Sequence, residues 1–325
     1  VYKRQDTHLV AKGSIENLTQ TDSLLYNLNN ISFRSNKTAI DKLISSKELG
    51  ISIPKTIVAE GSLSGGTSWV KPNMVLKIPE GNASINALVD FGEIMKFDGT
   101  FSIDSLQLGQ LLQNDQLGEI SLQINANGSG NQTSNLDANI TGNISQFQYG
   151  DYSYNAIDID GILNNGKGNI SANINDPNLN MDAGATLLLT SNDNVIQFTS
   201  NIIGADLKEL GLTKENIKVA ANINGDYTGT PSNFTINTVI DDGIAVADNE
   251  QYQVSSIILK AHVEDTITDV SVQSNFLNGQ LASNASPNRI TNALKKQLEH
   301  YFSTDDTVYE VEDTIEAKLA IALSL

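Results

Sequence analysis

Alternation of apolar and polar residues is the feature of this chain that most constrains its fold. From about Thr56 onward, short alternating runs are separated by Gly, Asn and Asp. Successive side chains point to opposite faces of a β-strand, whereas a helix repeats every 3.6 residues. The pattern therefore predicts antiparallel strands with one apolar face and one polar face, separated by turns.

The apolar members of these runs are candidates for one shared surface. The run Glu119–Ile124 is typical, because Ile, Leu and Ile alternate in it with Glu, Ser and Gln. We predict that the following residues line an apolar groove: Ile120, Leu122, Ile124, Ile157, Ile159, Ile170, Ile174, Leu179, Met181, Ile217, Val219, Ile223, Phe234 and Ile236.

Two all-β architectures fit the alternation. A closed sandwich would bury two apolar faces against each other. A long antiparallel sheet curled into a trough would bury its apolar face only partly. Many predicted apolar positions hold Ala, Gly, Ser or Thr, which favours the curved sheet over a thick packed core. A few short helices are also predicted: Ser35 to about Lys47, Ser105 to Leu112, Ala205 to Leu210, and Ser286 to about Phe302.

Composition excludes several classes of function. The net charge of −18 and the pI of about 4.4 disfavour nucleic-acid binding, because phosphate contacts need clustered Lys and Arg. The absence of cysteine excludes disulfide scaffolds, thiol catalysis and Cys-ligated zinc. No apolar run reaches the roughly 18–20 residues that a membrane-spanning helix needs.

No residue pattern predicts an enzyme, a metal site or a cofactor. His8, His262 and His300 are scattered without metal-ligand spacing. The small-residue stretch Gly61–Gly66 is predicted to lead into a hairpin rather than a nucleophile elbow, because another strand follows it. The acidic residues of Asp158–Gly161 alternate with Ile157 and Ile159, so we expect them on the polar face.

Several stretches together resemble a known family of envelope proteins. They are Phe101–Leu112 followed by Leu117–Leu122, then Gly142–Ile144, Tyr149–Gly161 and Asn175–Leu179, with Ile53–Gly61 and Ser271–Phe276 in support. Over about residues 30–305 the chain resembles the TamB-like, AsmA-related translocation and assembly module proteins of the Bacteroidetes type.

The resemblance implies a fold, a location and partners. The fold that it implies is a long curved antiparallel sheet, a β-taco or half-pipe, with an apolar interior groove. Members of that family are periplasmic proteins of Gram-negative bacteria that an N-terminal helix anchors in the inner membrane. They extend toward an outer-membrane barrel protein of the Omp85 type (TamA-like) and are implicated in moving phospholipids and in outer-membrane biogenesis. Because this chain has no initiator Met and no targeting signal, we expect it to be an interior segment of such a protein, with the anchor missing.

The expected organisation is an N-terminal strand and helix segment (1–55), a continuous groove sheet (56–285) and a helix with terminal strands (286–325). The main hypothesis is a non-enzymatic bridge segment that carries phospholipid acyl chains along the groove. One alternative is a chaperone or scaffold that guides outer-membrane strands by β-augmentation. Another is a surface-exposed, β-rich adhesin domain.

Overall fold

The computed structural model describes residues 6–42, 44, 50–287, 289–290 and 319–324, and most of them belong to one antiparallel sheet. The strands are β1 (His8–Glu16), β2 (Leu25–Asn36), β3 (Thr56–Gly66), β4 (Trp69–Ile78), β5 (Gly81–Asp90), β6 (Lys96–Gln107), β7 (Leu117–Ser129), β8 (Asp137–Tyr149), β9 (Tyr152–Asn164), β10 (Lys167–Asp176), β11 (Leu179–Leu189), β12 (Asn194–Asp206), β13 (Ile217–Gly229), β14 (Phe234–Ala247), β15 (Glu250–Val254), β16 (Ile257–Glu264), β17 (Ile267–Gln273), β18 (Asn278–Ser283) and β19 (Leu319–Ser324). The described part also contains two short α-helices, α1 (Lys37–Ile40) and α2 (Leu108–Leu112), and two 3₁₀ turns, Thr21–Ser23 and Thr133–Asn135.

The sheet is a meander in which strands pair with their neighbours in the sequence. The one irregular step is at β14, whose two halves pair with β15 and β16, so these two strands share one position. No described pairing joins β1 to β19, so the sheet is open and does not close into a barrel. This confirms the predicted all-β fold with one long open antiparallel sheet.

The sheet continues through the expected segment boundaries. Arg34 of β2 pairs with Val58 of β3, so the N-terminal strands belong to the same sheet as the central ones. Likewise, β19 pairs with β18. Most of the helix predicted from Ser286 lies outside the described residues. No helix in the described part of the chain is long and apolar enough to cross a membrane.

A line of β-bulges crosses the sheet and bends it. Extra residues interrupt the register of β6 at Ser105, of β8 at Ser145, of β12 at Ile203 and of β14 at Asp242. Ala156 of β9 lies on the same line, and Ser105, Ala156 and Asp242 all have positive φ. Because each bulge bends its strand, aligned bulges form a crease along which the sheet curves.

The two long rims of the sheet differ in their connections. The capped rim, formed by the connections that follow the even-numbered strands β2 to β14, contains three long segments, 37–55, 108–116 and 207–216. The turn rim, formed by the connections that follow β1 to β13, contains shorter polar turns. The crease runs close to the capped rim, so the sheet consists of a narrow strip beyond the crease and a wide floor.

Two predicted helices are shorter than expected because strands extend into them. Ser35 and Asn36 still pair with β3, and Asn36 then caps α1 by accepting a hydrogen bond from the Ala39 amide. Similarly, Gln107 pairs with Glu119, so the second helix begins at Leu108 rather than at Ser105. Tertiary pairing therefore overrides the helical spacing of Leu and Ile in both places.

Candidate functional site

The strand register brings every candidate groove residue to one surface of the sheet, here named the groove face. One row runs across neighbouring strands through Leu122, Ile144, Ile157, Ile174 and Met181. The other candidates fall in parallel rows on the same face: Ile120, Ile124, Ile159, Ile170, Leu179, Ile217, Val219, Ile223, Phe234 and Ile236. The residues that the alternation selected therefore share one face of the sheet.

The groove face is not the interior of a closed core. Nine hydrophobic side chains are buried among the described residues, and none of them is a candidate groove residue. Phe101, Ile85 and Ile170 on this face are at least one-third exposed. No described layer covers the face, yet its side chains alternate with more exposed ones on the opposite face. This asymmetry is expected if the groove face is the concave side of a curved sheet.

The groove face is almost free of charge. From β2 to β14, Asp176 is the only ionisable carboxylate or amine that the register places on it. Asp176 lies at the capped rim, where it is 4% exposed. The floor therefore offers continuous apolar surface with no cation that could bind a phosphate.

Asp176 is held by a dense set of hydrogen bonds. The Tyr152 hydroxyl donates to Oδ1, the Asn178 amide donates to Oδ1 at 2.9 Å, and the Asn155 amide donates to Oδ2 at 2.9 Å. Burial alone would raise the pKa of Asp176, but these hydrogen bonds outweigh burial and lower that pKa below 3.8. Burial and the bond to Asp176 raise the pKa of Tyr152 to about 12.

This cluster has a structural effect at the capped rim. Asp176 ends β10, and its partners Tyr152 and Asn155 belong to the start of β9, beyond Ala156 with its positive φ. The regular β9–β10 ladder stops at the pair Ile157 and Ile174. The carboxylate therefore replaces the missing backbone pairing and fixes the strip beyond the crease.

Aromatic rings lie over glycines on the floor. The Phe198 ring lies against Gly225 on the next strand, and a Cβ built on Gly225 would overlap it. The same arrangement joins Tyr26 to Gly65 and Phe97 to Gly128. Glycine leaves space for the ring to lie across the neighbouring strand, so the floor stays smooth despite its large side chains.

The opposite face is polar and is crossed by amide–carboxylate pairs. Asn173 donates to Asp182 at 2.6 Å, and Asn143 donates to Asp158 at 2.8 Å. This placement confirms the polar-face prediction for Asp158. The partners are amides rather than cations, so no positive charge offsets these two carboxylates on this face.

The residues considered for catalysis lie apart. Gly61–Gly66 ends β3 and leads by a tight turn into β4, as the hairpin interpretation predicted. His262 contacts Thr235 and Glu264 on the polar face, His8 lies on β1, and His300 is outside the described residues. The described residues contain no cluster of His, Cys, Asp or Glu that could hold a metal ion. A shallow depression beside Glu60 and Asn73 also lies on the polar face rather than in the groove.

Sequence reasoning missed the crease, the Asp176 cluster and the ring-over-glycine pairs. The positive-φ residues Ser105, Ala156 and Asp242 along the crease share no sequence signal, and nothing in the sequence marks an alanine that adopts a positive φ. The ring-over-glycine pairs leave a weak signal, since Gly recurs within apolar runs. Comparison with known proteins finds no matching family model, no matching curated protein and no matching solved structure.

Proposed function

We propose that the chain is a lipid-carrying segment whose groove face binds the acyl chains of phospholipids. The observation that supports this most is the apolar groove face from β2 to β14, which no described layer covers and whose only carboxylate or amine is Asp176 at the capped rim. Exposed apolar surface of this extent is unusual for a soluble protein and marks an interaction site. Its shape, long and concave rather than pocket-like, suits flexible chains better than a compact ligand.

The energetics favour tails in the groove and headgroups outside it. Each methylene that leaves water is worth about 0.8 kcal/mol. Burying an unpaired phosphate or ammonium group is costly, and the floor offers no countercharge. The headgroup therefore stays in water, and the floor makes no contact that distinguishes one headgroup from another. We expect binding to depend on chain length far more than on headgroup type.

The dimensions fit a conduit rather than a single binding site. The nineteen strands occupy eighteen positions, because β15 and β16 share one. At about 4.8 Å per strand the described sheet is about 80 Å across, of which the groove face from β2 to β14 takes about 60 Å. Strands β2 to β14 have 10–14 residues, so at about 3.3 Å per residue the floor is wide enough for several chains side by side.

We further propose that the segment works in the periplasm, as part of a bridge between inner and outer membranes. The support is the resemblance to TamB-like proteins, together with an open apolar sheet of the kind that the resemblance implies. An inner-membrane anchor outside this chain and an outer-membrane barrel of the Omp85 type would be its partners.

The test compares two aspartates on opposite faces of one strand. Ile159 lies on the groove face of β9, whereas Ile162, which is 55% exposed, lies on the polar face of the same strand. We expect Ile159→Asp to lose phospholipid that co-purifies with the wild type, as measured by mass spectrometry of organic extracts, because a carboxylate on the floor repels acyl chains. Ile162→Asp should retain it.

Leu122→Asp and Ile174→Asp extend the test to other strands. A folded wild type that carries no lipid and extracts none from vesicles would contradict the proposal. Unfolding of all three groove-face variants would indicate a closed core, since a charge buried there destabilises a protein by several kcal/mol.

A second function, as a chaperone for outer-membrane strands, is favoured by the edge strand β1, which in the described part of the chain pairs with β2 alone. Every residue of β1 is exposed, and Leu9 (63% exposed) and Ile15 extend the groove face to that edge. An extended peptide can pair with such an edge. Competition between lipid and unfolded barrel peptides for the wild-type protein distinguishes the two functions.

A further inference from the structure

Tyrosine has a restricted distribution on the groove face. Each of the six tyrosines that the structure describes lies within three residues of a strand end, on the groove face: Tyr26, Tyr149, Tyr152, Tyr154, Tyr227 and Tyr252. The aromatic rings in mid-strand positions are phenylalanines, as at Phe101 and Phe198. Hydroxyl-bearing rings thus follow both rims, and the middle of the floor lacks them.

The tyrosines occupy both rims. Tyr26 and Tyr227 lie at the turn rim, near the ends of β2 and β13. Tyr149 and Tyr154 lie at the capped rim, beside Tyr152. Ring contacts fix three of these side chains, because Tyr154 stacks on Phe147 with centroids 6.5 Å apart, Tyr152 packs edge-on against Tyr154, and Tyr227 stacks on Phe234 at 5.5 Å.

Four of the six tyrosine hydroxyls are able to donate a hydrogen bond to a ligand. Tyr152 donates to Asp176, and Tyr252 donates to Glu250 at 2.9 Å. Within the described part of the chain, the hydroxyls of Tyr26, Tyr149, Tyr154 and Tyr227 have no hydrogen-bond partner. A phenol places an apolar ring and a polar tip in fixed relation, which is why tyrosine marks the boundary between hydrocarbon and water.

We propose that Tyr26, Tyr149, Tyr154 and Tyr227 position the polar–apolar boundary of a bound lipid by donating hydrogen bonds to its ester carbonyl oxygens. This inference rests on the proposed function, since it requires acyl chains on the groove face. The ester group is the first acceptor above the hydrocarbon, so it lies at the rim when the chains lie on the floor. The groove then selects acyl-ester lipids over ether-linked lipids, although it ignores the headgroup.

The experiment uses two phosphatidylcholines with the same headgroup and the same pair of eight-carbon chains, one ester-linked and one ether-linked. Calorimetric titration of each lipid below its micelle concentration gives two Kd values for the purified protein. We expect the wild type to bind the ester lipid about fivefold more tightly, because the ether lacks carbonyl acceptors and each net hydrogen bond is modest.

The quadruple variant Tyr26→Phe, Tyr149→Phe, Tyr154→Phe, Tyr227→Phe should lose this preference while its Kd for the ether lipid stays unchanged. Unchanged ether binding also shows that the variant is folded and that its groove is intact. Tyr252→Phe is the control, because its hydroxyl already bonds to Glu250; its preference should equal that of the wild type.

The outcomes separate the two proposals. Equal binding of the two lipids by the wild type, or a preference that survives in the quadruple variant, would overturn the tyrosine assignment and leave lipid binding intact. Failure of the wild type to bind either lipid would overturn both. A variant that loses both lipids equally would show that the rings pack the groove and that the hydroxyls do not select.

Discussion

The strip beyond the crease and the floor of the groove use the same apolar residue types in different ways. Near the capped rim the long connections bury Ile53, Leu106, Leu111 and Leu210, and the Ser52 amide donates to the Leu111 carbonyl at 2.6 Å. On the floor the isoleucines stay half-exposed. The comparison indicates that side-chain burial stabilises the rim, whereas the floor depends on its backbone ladder and keeps its apolar surface available.

The largest expected effect concerns the buried side chains near the capped rim. Leu111→Ala removes a side chain that is 8% exposed and should lower the free energy of unfolding by about 2–4 kcal/mol. The adjacent Leu112 is 43% exposed, so Leu112→Ala should change the free energy of unfolding by no more than about 0.5 kcal/mol. Urea denaturation of both variants gives the two values. Equal effects would mean that α2 does not pack as a cap.

The next effect concerns the Asp176 cluster, whose hydrogen bonds hold the same strip. Asp176→Ala leaves the Tyr152 hydroxyl and the amides of Asn155 and Asn178 without their acceptor, and should destabilise the protein by about 2–3 kcal/mol. Thermal unfolding at neutral pH measures this loss. A loss of stability comparable to that of a variant at an exposed position, Asp158→Ala, would show that the Asp176 cluster contributes little to stability.

The Asp176 cluster also makes the stability of the protein depend on pH. Because the folded pKa of Tyr152 is about 12 against 10.0 in a free tyrosine, its contribution is complete below pH 10 and disappears as the pH rises toward 12. The lowered pKa of Asp176 contributes stability above pH 3.8 that disappears as the pH falls through the folded value. The difference in melting temperature between wild type and Tyr152→Phe should therefore shrink above pH 10; a constant difference would contradict the role of the hydroxyl.

The smallest effects compare two glycines within the floor. Gly225→Ala must displace the Phe198 ring and should destabilise the sheet by about 1–3 kcal/mol. A Cβ at Gly142 would meet Ile124 at 3.5 Å and Ile159 at 3.7 Å, which are ordinary contacts. Gly142→Ala should therefore be neutral or stabilise by less than about 1 kcal/mol. Chemical denaturation measures the change in stability for each variant. Similar losses of stability in both would contradict the ring-over-glycine arrangement.

Alternation was enough to predict the sheet and the face on which the candidate residues lie, because a period of two is a local property of each strand. It was not enough to predict the crease, since the bulges at Ser145 and Ile203 depend on how neighbouring strands pair. The helix from Ser35 was placed too early for a related reason: pairing with β3 holds Ser35 and Asn36 extended. Long-range pairing decided each of these features, and short windows of sequence do not contain it.

The meander order of the strands has a consequence for how the protein forms. Each strand from β2 to β14 pairs with the strand that precedes it in the sequence. Most contacts between strands therefore join residues that lie close together in the chain, and the contact order is low. A polypeptide that emerges unfolded from one end can then add hairpins one after another. Insertion or loss of a hairpin changes the length of such an assembly without altering the register elsewhere, as in other repeat-like architectures. The span of the molecule is thus adjustable in steps of about 10 Å, the width of two strands.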